Sequence, residues 1–252
     1  MSIKSKVENR VAWVELARPE KKNALTGEMY KQLAAALAAA DADPQVRAIL
    51  LHGTQDCFTA GNDLHDFLKR PAGAEPLVVD LFKVLPNLAK PIVAAVGGPA
   101  VGIGSTMLLH CDLVYAADNA RFQLPFVPLG IVPEFASTYL LPLLAGYQRA
   151  AELLLLGQPF TAEKARDVGL VTEVVSAANL FSKAREAAQT LAALPPEALR
   201  FTKRLLKKRH GAAIAETLAE ETRIFSERLS SPEAKEAMSA FLEKRKPDFS
   251  RF

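Results

Sequence analysis

The sequence predicts a mixed α/β domain followed by a helical tail, and three observations carry that prediction. Short apolar runs rich in β-branched residues, such as IVAAV at 92–96, are bounded by Pro91 and Gly97 as buried strands are. A loose strand–strand–helix rhythm recurs, without a repeated sequence strong enough for a solenoid. After the Pro195-Pro196 pair the chain reads as helices only. The expected division is therefore a core over 1–195 and a helical region over 196–252.

Taken in order, residues 7–16 alternate enough for one early strand, with Val11, Trp13 and Leu16 on one side. A polar turn, RPEKKNAL, leads to Thr26, a good N-cap for an alanine-rich helix over 27–40 that ends before Asp43-Pro44. Residues 46–52 read as a buried strand, and a further strand is expected to end at Phe58. The loop 69–75 carries no helix or strand signal, and 77–88 reads as a helix leading to the strand at 92–96. Gly98-Pro99 marks a turn, followed by a helical run to Leu109 and a strand over 112–116. A turn over 118–121 and an extended stretch over 122–125 come next. One helix is expected over 145–156, closed by Gly157. Thr161 caps another that Gly169 closes, and VTEVV is a short strand. The tail holds helices over 197–208, 212–229 and 232–244, the last capped by Ser231.

Composition narrows the function. With 252 residues, half of them hydrophobic, the chain can build a sizeable core without metal or disulfide support. A formal net charge of +3 argues against nucleic acid as the main partner, and the basic amphipathic tail reads as a face packed on the core or on a partner subunit. Cys57 and Cys111 are too few for a disulfide framework or a zinc cluster. The N-terminal letters lack an apolar leader core, and no apolar run is long enough to span a bilayer. A reduced, cytoplasmic protein with no membrane partner is expected, and the terminal Ser-Arg-Phe is not a peroxisomal address.

Three stretches carry chemistry. In KPIVAAVGGPAVGIGSTMLL, a glycine-rich turn around Gly102, Ile103 and Gly104 feeds a helix and leaves backbone N–H groups suited to an oxygen bearing negative charge. Met107 stands where a dinucleotide fingerprint needs its third glycine, no lysine follows Gly104 as a phosphate loop requires, and the flanks of Ser105 do not fit a hydrolase elbow. The turn either supplies half of an oxyanion hole or lets a helix pack tightly on a strand. In CFTAGNDLHDF, Ala60-Gly61 makes a tight turn that would aim the Asn62 N–H at whatever occupies it. Asp63 there is first an N-cap and only second an acid or base, and His65 reads as a surface or satisfied histidine. In FVPLGIVPEFAS, Glu134 lies in apolar company, where a carboxylate is expensive unless paired or used. The alternative is an exposed first-turn glutamate of a helix that starts near Pro133.

Together these motifs, with RPEKKNAL, KPIVAAVGGPAVGIGSTMLLHCDLVYAADNARFQLP, GLVTEVV and the closing FLEKRKPDF, resemble the crotonase (enoyl-CoA hydratase/isomerase) superfamily across almost the entire chain. The wording GNDL resembles the peroxisomal-type 3-enoyl-CoA to 2-enoyl-CoA isomerases. The resemblance implies a spiral of ββα units with a C-terminal helical trimerisation region, a homotrimer or a hexamer built from two trimers, and an acyl-CoA substrate. It implies no metal, and no cofactor beyond the coenzyme A that belongs to the substrate. By the family motif, the oxyanion donors are the backbone N–H groups of Asn62 and Ile103. Contacts to coenzyme A or the acyl chain are implied for Lys22 and Ala24, for Ala60, Gly61, Asn62, Asp63 and Leu64, and for Gly102, Gly104 and Phe126. Phe241 and Lys244 resemble residues that reach a neighbouring subunit's nucleotide pocket.

The sequence departs from the hydratase pattern at two places. Where hydratases carry their two glutamates, this chain has Thr106 and Phe126. Hydration divides water activation and carbon protonation between two carboxylates, whereas moving a double bond from position 3 to position 2 needs only one that shuttles a proton. Glu134 stands where some isomerases of the superfamily place that single acid/base. An enoyl-CoA isomerase is therefore expected. The alternatives are a hydratase working with Glu134 alone, a catalytically silent acyl-CoA binder and an RNA-associated member.

Overall fold

The chain begins as a hairpin. The computed structural model describes residues 2–63 and 78–252. Strands β1 (Ile3–Glu8) and β2 (Val11–Leu16) pair antiparallel around Asn9 and Arg10, both left-handed with φ of 50° and 64°. Two central residues with positive φ make the turn whose twist suits a two-residue hairpin. The single strand expected over 7–16 is thereby corrected to two. Helix α1 (Gly27–Ala42) follows, and its Thr26 cap accepts from the Met29 N–H at 3.3 Å. Then come β3 (Ala48–His52), the short α2 (Val79–Val84) and β4 (Ile92–Val96).

Strands β2, β3, β4, β6 (Leu113–Ala117) and β9 (Glu173–Val175) run parallel, with β1 as the antiparallel edge. Alternation along these strands serves two cores, as a sheet covered on both faces requires. Ala12, Val14, Leu16, Ile49, Leu51, Ile92, Ala94 and Val96 join the larger core, which also takes Leu33 and Leu37 of α1. Val11, Trp13, Ala48, Leu50, Val93 and Ala95 face the other way. Leu16 therefore lies opposite Trp13, not beside it. The second face is covered by α7 (Leu180–Ala193), through Leu180, Ala184, Ala188 and Ala192. That helix has no counterpart in the sequence reading, although its apolar residues recur every four positions.

A second sheet holds β5 (Pro99–Val101), β7 (Arg121–Gln123) and β8 (Phe160–Thr161). Pro99 thus opens a strand and does not complete a turn. No strand ends at Phe58 among the described residues; Thr59 makes an isolated parallel bridge to Ala100 instead. From the glycine turn the chain enters α3 (Ile103–Thr106) and a 3-10 turn, Met107–His110. The helix expected over 145–156 is α5 (Tyr147–Leu156), closed by Gly157, and an unexpected helix, α4 (Ser137–Ala145), precedes it and is separated from it by Gly146 at φ 78° and ψ 158°. Thr161 caps α6 (Ala162–Asp167), accepting from the Lys164 N–H. Helices α8 (Pro196–Lys208), α9 (Gly211–Leu229) and α10 (Pro232–Leu242) close the chain.

Lys203 of α8 ties this tail to the sheet, donating to Asp112 Oδ2 and to the Lys90 carbonyl, each at 2.7 Å. No helix among the described residues is long and apolar enough to cross a membrane. Leu64, His65 and the loop 69–75 lie outside the described residues, as does any helix that Asp63 would cap.

Candidate active site

Two chain segments that are far apart in sequence are joined by the Thr59–Ala100 bridge. Thr59 N–H donates to Pro99 O at 2.9 Å, and Val101 N–H donates to Thr59 O at 3.1 Å. The Thr59 hydroxyl donates to Asn23 O at 2.7 Å and accepts from the Gly61 N–H at 3.0 Å. Leu25 N–H donates to Gly61 O and Asp63 N–H donates to Leu25 O, so the Asn62 N–H between them points to the opposite side. Tyr30 of α1, fully buried, donates its hydroxyl to Asn62 Oδ1 and so fixes that side chain too.

Across the seam, Gly102 adopts φ 56° and ψ −117°, a conformation open only to glycine. It turns the chain from β5 into α3, whose first residue is Ile103. An N–H at a helix start has no intrahelical acceptor. Gly104 is required for space: a Cβ there would sit 2.5 Å from Thr59 Cγ2. Close packing and donor presentation, left open by the letters, are thus properties of the same turn. Neither the Asn62 nor the Ile103 N–H has a backbone acceptor among the described residues.

Glu134 is buried, with 3% of its surface exposed. It precedes α4 and is not in its first turn, because Phe135 and Ala136 are left-handed with φ of 61° and 56° and cannot begin a right-handed helix. The exposed first-turn alternative is therefore excluded. Thr106 donates its hydroxyl to Glu134 Oε1 at 2.8 Å. Burial pushes the Glu134 carboxyl up to about 8, the Thr106 hydrogen bond opposes that shift, and the charge of Glu221 adds to it. Tyr30 is close enough that the Glu134 charge raises its hydroxyl further, beyond the larger effect of burial.

The turn behind Glu134 is clamped from two directions. His110 Nε2 lies 2.8 Å from Phe135 O. A carbonyl only accepts, so that nitrogen carries the proton, and burial holds the imidazole neutral by lowering it to about 4. Phe135 is sandwiched between Phe82 and His110, each ring centroid 4.2 Å away. From α9, Glu221 accepts from the Ala136 N–H at 2.6 Å, the Thr138 N–H at 3.0 Å and the Thr138 hydroxyl at 2.6 Å.

The remaining expected residues divide into two groups. Lys22, Ala24, Ala60, Gly61 and Asp63 come together beside the first turn: Ala60 N–H donates to Lys22 O, and Arg18 donates to both Ala24 O and Asp63 Oδ2 at 2.9 and 2.8 Å. Asp63 is thus an ion-pair partner of Arg18. Asn23, fully buried, donates to Cys57 O and Phe58 O. Phe126 is buried in the larger core. Phe241 and Lys244 are exposed at the end of α10. Arg18, Asn23, Tyr30, Thr106, His110 and Glu221 are absent from the expected site. Glu221 has a sequence signal, since it interrupts the apolar stripe of Leu218, Phe225 and Leu229 on α9.

A family profile described as Enoyl-CoA hydratase/isomerase matches residues 6–251. The chain is 37% identical over 261 aligned positions to a 1,2-epoxyphenylacetyl-CoA isomerase of Escherichia coli, covering 98% of this chain and 97% of that protein. It is 32% identical to a probable enoyl-CoA hydratase of Mycobacterium bovis, covering 96% and 95%. A crystal structure of an enoyl-CoA hydratase/isomerase from Pseudoalteromonas atlantica superposes with a TM-score of 0.94 at 42% identity, covering 99% and 100%.

Proposed function

Since the chain belongs to the enoyl-CoA hydratase/isomerase family, we propose that it is an isomerase that moves the double bond of a 3-enoyl-CoA to position 2. Relatives bear both isomerase and hydratase names, so the choice rests on the site. The observation that carries it is that the buried Glu134 carboxylate accepts from Thr106, which together with the aromatic Phe126 occupies the two positions where a hydratase has carboxylates.

In this reading the thioester oxygen lies between the Asn62 and Ile103 N–H groups. Ionised Glu134 removes a proton from C2, and the C–H electron pair moves towards the carbonyl, giving a dienolate with its negative charge on that oxygen. The same carboxyl then returns the proton to C4, and the electrons re-form the carbonyl with the double bond between C2 and C3. No atom is gained or lost. Each well-aimed donor is worth about 3 kcal/mol as the oxyanion develops. A carboxyl near 8 is well matched to exchanging a proton with carbon at neutral pH. Coenzyme A runs past Lys22, Ala24 and the 60–63 segment, while Gly102, Gly104 and Phe126 border the acyl end. Phe241 on the last helix and Lys244 just past its end, both exposed, serve a neighbouring copy in a trimer or a pair of trimers.

The test is to supply a 3-enoyl-CoA and a 2-enoyl-CoA separately and follow absorbance of the conjugated thioester. A gain with the first and little loss with the second is expected. Rapid loss with the second would show water addition and favour the hydratase reading.

A further inference from the structure

We propose that Glu221, on a helix 85 residues downstream of the turn it caps, is a positioning residue for Glu134. The inference rests on Glu134 being the acid/base. Two successive left-handed residues, neither of them glycine, set the direction in which Glu134 leaves the backbone. Such a turn persists only where its surroundings over-determine it. Phe135 O is held by His110, but the N–H groups on the far side, at Ala136 and Thr138, have one acceptor between them, the Glu221 carboxylate. Its two oxygens divide the work: Oε2 takes the Ala136 N–H, and Oε1 takes the Thr138 N–H and hydroxyl.

Charge and bidentate geometry are both needed, because an amide has one accepting oxygen and would turn a donor towards the other N–H. Glu221 is 5% exposed and Ala136 fully buried, so the Ala136 N–H finds its acceptor away from solvent. A carboxylate buried on the apolar face of an otherwise solvated helix has this one set of partners among the described residues, and they all lie within four residues of Glu134.

The experiment compares Glu221→Ala, Glu221→Gln and Glu134→Gln, with and without Ala136→Gly, on a 3-enoyl-CoA. A misplaced acid/base costs about 10²-fold in kcat, so Glu221→Ala is expected to lose about that much with KM within about threefold. Glu221→Gln, which keeps one acceptor, falls about tenfold and serves if the alanine variant does not fold. Glycine adopts the left-handed region without a Cβ penalty, so Ala136→Gly should restore about fivefold to either Glu221 variant. A Glu221→Ala enzyme with unchanged kcat overturns the inference. So does a kcat loss that Ala136→Gly fails to relieve, since the loss would then not come from strain in the left-handed turn. Survival of activity in Glu134→Gln would instead overturn the assignment of the acid/base, whatever the Glu221 variants do.

Discussion

Thr106 Oγ1 donates to Glu134 Oε1 at 2.8 Å with both side chains buried, and no other hydrogen bond reaches this carboxylate among the described residues. The bond favours the ionised form and so works against burial, the larger influence. Thr106→Val removes it while keeping the shape. The carboxyl should rise above about 8, moving the ascending limb of kcat/KM against pH to more alkaline values. A loss of about 5–10-fold at pH 7 that shrinks at pH 9 is expected from pH–rate profiles.

Glu134→Gln should abolish isomerisation and stabilise the protein. In the unfolded chain the carboxyl ionises near 4.5, whereas in the fold it holds its proton to about 8. Between those values the folded state binds more protons, so its stability falls as pH rises, and the loss is complete above about 8. The glutamine variant escapes that penalty. Its advantage should be small at pH 4.5 and grow to about 1–4 kcal/mol by pH 8.5, as read from denaturant melts at the two pH values.

Gly104→Ala brings a Cβ to 2.5 Å from Thr59 Cγ2 and forces the two donor turns apart. A stability loss of about 1–3 kcal/mol and a fall in kcat of about 10²-fold are expected. Thr59→Ser deletes the offending methyl and keeps the hydroxyl that Gly61 and Asn23 use. The double variant should therefore recover much of both, measured by thermal melts and turnover.

Asn23→Ala removes the amide that donates to Cys57 O and Phe58 O; Cys57 O keeps its bond from the Thr54 N–H, and Phe58 O loses this donor in a buried site. A destabilisation of about 2–4 kcal/mol is expected in urea melts. KM for the acyl-CoA should rise as well, because the same residue lies between Lys22 and Ala24.

Much of this architecture is legible in the letters wherever one residue's chemistry suffices. The run 92–96, the Thr26 and Thr161 caps and the Gly102 turn are local signals, and each names its own structure. The first hairpin was missed because Asn9-Arg10 carries no glycine, although both residues take the left-handed form. Helix 180–193 is covered on its inner side mainly by alanine, a weak mark of burial. At the site, Glu134 stood out for its apolar neighbours, but whether it was buried depended on where α4 starts. That depends in turn on His110 and Glu221, which reach the turn from 25 and 85 residues away. Periodicity does not encode such pairings.

The acid/base and the two donor turns have separate origins in the chain. Asn62 and Ile103 are set by the isolated bridges Leu25–Asn62 and Thr59–Ala100, while Glu134 hangs from a connection between β7 and α4. They meet through the hydrogen bond from Thr106, three residues past Ile103, to Glu134. On the proposed reading, a substitution in the wall around Glu134 redirects where protons go and leaves the cradle for the thioester in place, so holding the substrate and choosing its reaction fall to different parts of the scaffold.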